Sequence, residues 1–278
     1  AKPDTCVITN IGTCHLENLG DRDGVLKAKT EIFQSMKPNG HIVLNGDDDK
    51  LATVREYNGV KPVFFGLDDK RDVYADQIDS RGLKGVACRI HLGEDAFDVL
   101  VPTPGIHMVY NALAAAAVGR IYGLTIEEIK KGIESLETIR GRFKMIETDK
   151  FLVVDDCYNA NPMSMKASLD VLHDGEGRRV AILGDMGELG EDEVALHEGV
   201  GIHAASCGID ACICVGELAY HIAEAARKAN PDFTVYYEKS RESLLEHLTD
   251  YVQKGDTILV KASHFMKFEE VVKALEEM

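Results

Sequence analysis

Short, mostly continuous apolar runs alternate along this 278-residue chain with longer segments whose apolar positions recur three and four apart. The first kind reads as strand and the second as helix. In the first half the pattern predicts a strand at Cys6–Thr9 and a helix from about Arg22 to Met36, with Val25, Leu26, Ile32, Phe33 and Met36 on one side and Pro38-Asn-Gly40 ending it. A strand at His41–Leu44, a helix at Asp48–Tyr57 and a strand at Pro62–Phe65 follow. Extended stretches near Val73–Ile78, Val86–Leu92 and Phe97–Val101, separated by turn signals at Arg81-Gly82 and Gly93-Glu94, read as an antiparallel extension on a parallel sheet. Val109–Tyr122 is Ala-rich and apolar on most faces, so it is a buried helix. Thr125-Ile-Glu-Glu128 is a capping box, with Ile126, Ile129, Ile133 and Leu136 at helical spacing behind it.

Ile139-Arg-Gly-Arg142 reads as a linker, dividing the chain into residues 1–138 and 139–278. Beyond it strands and helices alternate regularly. The strands are Phe151–Asp155, Arg179–Leu183, Ala211–Val215, Thr234–Tyr236 and Thr257–Val260. The helices lie near Ser164–Leu172, Glu193–Ser206, Leu218–Lys228, Arg241–Val252 and Phe265–Leu275. Continuous apolar strands alternating with helices predict a parallel sheet covered on both faces, so the fold class is α/β. Ligands of such sheets sit at the carboxyl ends of the strands. There the sequence places Asp155-Asp-Cys-Tyr-Asn-Ala-Asn-Pro162, Gly184-Asp-Met-Gly-Glu-Leu-Gly190 and Lys261-Ala-Ser263-His264. Asn161-Pro162 is explained equally well as a helix cap. Two adjacent acids closing an apolar strand are not, because unpartnered burial of either costs several kcal/mol. Asp185 and Glu188 are acids suited to a cationic amine or a metal. Arg140 and Arg142, flanking the linker glycine, suit a phosphate.

In the first half, His15 lies just beyond a strand end. Lys27 and Lys29 follow on one helix, about 200° apart, so only one of them faces the His15 loop. Asn45-Gly-Asp-Asp-Asp49 suits a metal or ribose hydroxyls, and reads equally as a surface turn. Pro104-Gly-Ile-His107 opens the Ala-rich helix toward an anionic or nucleotide ligand.

Composition narrows the field. With 31 Lys+Arg against 47 Asp+Glu the net charge is −16, which disfavours nucleic acid and anionic membrane as partners. No apolar run approaches the roughly 20 residues of a membrane span. Seven cysteines, odd in number and without a CxxC pair, read as reduced thiols of a cytoplasmic protein. The start at Ala1, without Met, reads as a cut inside a longer protein.

Several of these strings occur together, in order, over the whole chain. Thr9-Asn-Ile-Gly with His15-Leu-Glu-Asn-Leu-Gly20, Lys27-Ala-Lys-Thr-Glu-Ile-Phe33, Asn45-Gly-Asp-Asp and Pro104-Gly-Ile-His with Asn111-Ala-Leu-Ala-Ala resemble the central domain of the Mur ligases. The strings at 155–162, 184–190 and 260–263 resemble the branch of that family that adds D-Ala-D-Ala to the UDP-MurNAc-tripeptide. The resemblance implies a truncated central ATPase domain followed by a Rossmann-like C-terminal domain. It implies an ATP-dependent ligase working through an acyl phosphate, with Mg²⁺ as cofactor. His15 would ligate the metal, and Lys29, favoured over Lys27 by its interval from His15, would support it as a carbamate. With Arg142 these form the catalytic set. Asn45, His107, Asn111, Arg142 and Asp156 would contact ATP. Asn159, Asn161, Lys261 and Ser263 would face the peptide end and the incoming dipeptide. Met108 stands where the pattern has Asn, and Cys157 where it has Ser.

The family carries a P-loop, and this chain has no Gly-Lys dipeptide. By the family's domain plan the resemblance therefore spans about the C-terminal 60% of such an enzyme, and the chain alone is expected not to turn over. Rival readings are another amide ligase of the superfamily and a non-catalytic nucleotide- or dipeptide-binding module.

Overall fold

A computed structural model describes residues 2–12 and 16–278. Two compact units divide at Glu137/Thr138.

The first unit is built on a six-stranded sheet. In chain order it runs β1 (Thr5–Ile8), a single turn α1 (Leu16–Leu19), α2 (Arg22–Thr30), β2 (His41–Asn45), β3 (Val63–Gly66), β4 (Val73–Ser80), β5 (Val86–Leu92), β6 (Asp95–Val101), α3 (Ile106–Ile121) and α4 (Ile126–Glu134). The strands lie in sequence order. Those from β1 to β4 are parallel, and β4 to β6 form the antiparallel extension that the turn signals predict. One face packs Val25 and Phe33 against Cys6, Ile8, Ile42 and Leu44. The other packs the Ala-rich α3 through Val109, Leu113 and Ala116 against Val43, Phe65 and Ile90. Alanines let α3 approach the sheet closely, which is why this helix is apolar nearly all round.

The helix expected at Asp48–Tyr57 is absent. Asp48 Oδ1 accepts from the backbone N–H of Lys50 and of Leu51 at 3.0 and 2.9 Å and so caps a first turn, but the segment closes only the 3₁₀ turn Leu51–Thr53 before Val54 turns extended. Tyr57 then bridges Val60 around Asn58 and Gly59, both at positive φ. The helix expected to reach Met36 is α only to Thr30, and continues as a 3₁₀ turn through Glu31–Ser35.

The second unit holds β7 (Lys144–Glu147), β8 (Leu152–Asp155), α5 (Pro162–His173), β9 (Arg179–Gly184), α6 (Glu193–Ala204), β10 (Ala211–Val215), α7 (Ala219–Ala229), β11 (Thr234–Glu238), α8 (Arg241–Tyr251), β12 (Thr257–Lys261) and α9 (Glu269–Glu277). Its sheet has the order β11-β10-β9-β12-β8-β7, parallel except for β7. Sequence patterning misses β7, an antiparallel edge strand that follows directly on the linker and is only half-buried. The last helix, expected from Phe265, starts at Glu269. A 3₁₀ turn His264–Met266 and Lys267 at φ 53° precede it.

Helices α5, α6 and α7 pack on one another, and α8 packs against α9. Strands β8 and β9 thus lead to helices of one group, and β12, inserted between them, leads to a helix of the other. Connections leaving adjacent strands toward opposite faces open a crevice at their carboxyl ends. That end of β12 carries Lys261 and Ser263.

Candidate active site at the carboxyl end of β12

Strand β8 ends in the two adjacent acids, and alternation sends them opposite ways. Asp155 is buried. Its Oδ2 accepts the Gly141 N–H at 2.9 Å, and its Oδ1 accepts from Cys157 Sγ at 3.0 Å. Burial, then the Asp155 carboxylate, pushes the Cys157 thiol well up, so it stays protonated. Asp155 therefore straps the linker turn to the sheet. Gly141 sits at φ 76°, and a Cβ there would come within 3.0 Å of Tyr158 Cβ, so the close approach requires glycine.

Asp156 points into the crevice. Its Oδ2 accepts from Lys261 Nζ at 2.5 Å and from Ser168 Oγ at 2.8 Å. The Lys261 side chain is 3% exposed and Nζ also donates to the Asn159 carbonyl at 3.2 Å. A buried ammonium with a carboxylate and a carbonyl as partners is a fixed positive charge with one N–H still to place. Ser263 Oγ accepts the Gly187 N–H at 2.9 Å and donates toward the Ala160 carbonyl at 3.5 Å. Thus Asp156, Asn159, Lys261 and Ser263, all expected from sequence, come together around one strand end. Asn161 is at the same loop but serves as the α5 cap: its Oδ1 accepts the Ser164 N–H at 2.9 Å, and Pro162 opens the helix.

At the rim, the Arg142 guanidinium lies 3.9 Å from the Tyr158 ring centroid, and that ring packs on His264. Arg140 makes a bidentate pair with Glu276, both bonds 2.9 Å, which commits its guanidinium within the protein. A cavity of about 280 Å³ opens here, lined by Arg140, Gly141, Asp155, Tyr158 and His264. The neighbouring Asp185 does not present its acid outward. Its Oδ1 accepts the Ala219 N–H at 2.7 Å, closing the N-terminus of α7, and burial raises its pKa despite bonds from the Ala219, Leu218 and Glu217 backbone.

In the first unit, the loop after β1 is pinned from several sides. Lys29 Nζ donates to the Asn10 carbonyl at 2.9 Å, Asn45 Nδ2 to the Thr9 carbonyl at 3.0 Å, and Arg22 Nε to the Ile11 carbonyl at 3.0 Å. Lys29 is therefore directed at the loop that leads to His15, which itself lies outside the described residues. Asn45 spends its carbonyl on the Asp47 N–H at 2.9 Å. His107 and Asn111 lie on the first turns of α3, and Asn111 Nδ2 reaches Met108 Sδ at 3.3 Å. Among the described residues no three His, Cys, Asp or Glu side chains cluster as metal ligands.

Two family models match the chain: the Mur ligase middle domain over residues 1–119 and the Mur ligase glutamate ligase domain over 141–264. The chain belongs to the Mur ligases. Among relatives, it is 36% identical to the UDP-N-acetylmuramoyl-tripeptide--D-alanyl-D-alanine ligase of Bacillus subtilis, the match covering 100% of this chain and 60% of that protein. It superposes with TM-score 0.88 on the crystal structure of MurF from Acinetobacter baumannii, 31% identical, covering 100% of this chain and 60% of that one. MurF from Thermotoga maritima, solved with ADP, gives TM-score 0.82 at 27% identity, with 100% and 62% covered. The chain thus spans about 60% of the length of these relatives.

Within this Mur ligase chain, two contributors escape sequence reasoning. Ser168 holds Asp156 from the middle of α5, and the buried His197 of α6 binds the Met186 N–H. His197 sits in a helix with an otherwise apolar buried face, and that was its only signal.

Proposed function

We propose that this chain supplies the amine-acceptor side of an ATP-dependent amide ligase that joins D-Ala-D-Ala to UDP-MurNAc-tripeptide in the cytoplasm. In this reading residues 1–138 are part of the ATP-binding domain and residues 139–278 the ligase domain. The observation that carries it is the buried Lys261, held by Asp156 and Asn159 at the β12 switch point beside Ser263. A fixed cation there suits the reaction, whose difficulty is to hold two anions, a carboxylate and a phosphate, against each other. The γ-phosphoryl of ATP passes to the tripeptide's terminal carboxylate. The dipeptide amine attacks the resulting acyl phosphate, and inorganic phosphate leaves as the amide forms. Lys261 presents its remaining N–H to an oxygen of the reacting peptide end. Ser263, fixed by Gly187, and Asn159 at the mouth of the loop orient the dipeptide.

The same reading gives Asn45, His107, Asn111, Arg142 and Asp156 to ATP. Arg142 is held as a flat plate by Tyr158, and Asp156 keeps its second oxygen for a ribose hydroxyl. Asn45 bonds the Thr9 carbonyl and the Asp47 N–H within the protein, which fixes its amide and leaves one N–H for the nucleotide. A magnesium ion belongs to this reading at His15 and Lys29. The described residues alone do not form its site, and Lys29 becomes an oxygen ligand only as a carbamate. When bound, the ion offsets phosphate charge.

The test is phosphate release from ATP with UDP-MurNAc-tripeptide, with and without D-Ala-D-Ala. It is run on this chain and on a fusion to the part of the B. subtilis relative that lies outside the match. Dipeptide-dependent release by the fusion alone is expected. Release by neither, with no dipeptide binding to this chain, would overturn the reading.

A further inference from the structure

The Asp185–Leu189 turn reaches the dipeptide side of the site through two bonds to Ser263: the Ser263 N–H donates to the Asp185 carbonyl at 3.1 Å, and the Gly187 N–H donates to Ser263 Oγ, the bond that orients the hydroxyl. The turn is tightly seated, for a Cβ on Gly187 would lie 2.9 Å from the Phe265 ring. What fixes it from behind is His197, whose side chain is fully buried. His197 Nε2 is 2.9 Å from the Met186 nitrogen, and Nδ1 is 2.6 Å from the Glu193 carbonyl oxygen. A backbone N–H only donates and a carbonyl only accepts. Nε2 is therefore the acceptor, Nδ1 carries the proton, and the ring is neutral with both nitrogens engaged. The titratable groups facing it are Asp185 at the end of β9, Glu193 on α6 and His221 on α7.

We infer that His197 is a positioning residue for the amine-acceptor end of the site: by holding Met186 it sets the place of the Gly187 N–H, and through it the orientation of Ser263. The inference rests on the ligase reading above. It differs from a core-filling role in one respect, that the two ring nitrogens matter and the ring volume does not suffice. A space-filling histidine tolerates Phe. A positioning one does not, and is rescued by a side chain that restores the acceptor.

The experiment uses the labelled chain in solution, followed by NMR, with D-Ala-D-Ala as the titrant. Wild type is expected to show the Nδ1–H tautomer at His197. His197→Phe keeps the ring volume and loses both bonds. It is expected to shift the Gly187 amide resonance and weaken dipeptide binding on the order of tenfold, the scale of one lost hydrogen bond. His197→Gln returns an acceptor to Met186 and is expected to recover most of that loss. An Nε2–H tautomer in wild type overturns the inference, as does wild-type binding by His197→Phe with an unmoved Gly187 resonance. If His197→Phe does not fold, the wild-type tautomer and the Gly187 resonance in His197→Gln decide it. If wild type itself does not bind the dipeptide and the fusion shows no dipeptide-dependent phosphate release, the ligase reading fails. The tautomer and the Gly187 resonance then still decide whether His197 sets the turn.

Discussion

Replacing Lys261 by Met leaves the Asp156 carboxylate with Ser168 alone, in a crevice where the lysine side chain is 3% and the aspartate 15% exposed. Breaking such a pair from one side costs about 3–5 kcal/mol, mostly the penalty of the orphaned charge. Urea unfolding should show that loss for Lys261→Met, and a much smaller one for Lys261→Met combined with Asp156→Asn. Equal losses in the two variants would mean that the pair is not coupled. Gly141→Ala tests the other acid. The left-handed backbone and the contact with Tyr158 predict a loss of at least about 1–2 kcal/mol, read as a lower denaturation midpoint. These two residues also show what sequence can and cannot reveal. That Asp155 and Asp156 needed partners followed from burying two acids at a strand end. Which partners they find did not, because Gly141 is 14 positions from Asp155 and Lys261 is 105 from Asp156. Asn161 was ambiguous for a physical reason, since the same amide caps a helix and binds a ligand.

Among the elements, those with a strong period or a short-range cap were legible, and a short turn and an edge strand were not. The α4 start is legible because its signal is short-range: Thr125 Oγ1 accepts the Glu128 N–H, and Glu128 returns a bond of 2.8 Å to the Thr125 N–H. Thr125→Ala should cost about 1 kcal/mol in a denaturant titration. The stretch at 48–57 has helical spacing, yet it closes one 3₁₀ turn before Tyr57 pairs with Val60, and β7 is an edge strand without a full apolar face. In α6 the pattern shows the helix but not the duty of its histidine. Burial lowers the His197 pKa beneath its usual 6.5, against the pull of Glu193 and Asp185. The unfolded chain then binds a proton that the fold refuses. This stability is complete above pH 6.5 and is lost as pH falls below it. Unfolding midpoints at pH 7.5 and 5.5 should differ in wild type and converge in His197→Gln; parallel shifts in both would remove His197 as the cause.

The whole molecule is two units with separate hydrophobic cores, and the second contains the entire Lys261 cluster. Residues 138–278 made alone should therefore unfold cooperatively, with the Lys261→Met penalty intact; a non-cooperative transition would show that the unit depends on the rest of the chain. The α/β class, the antiparallel extension and the parallel second sheet were all legible, since each follows from the order and continuity of apolar runs. The insertion of β12 between β8 and β9 was not, because strand order is settled by packing between distant segments. Asp185, whose carbonyl accepts the Ser263 N–H, brings the α7 N-terminus close to the site and fills it with its carboxylate. Gly216, at φ 122°, has no side chain because a Cβ would collide with that carboxylate. Helix N-termini beside such crevices are where free phosphates settle on parallel sheets. Here the seat is taken by the protein's own chain, so the α7 N-terminus answers to an internal carboxylate and is closed to a free anion.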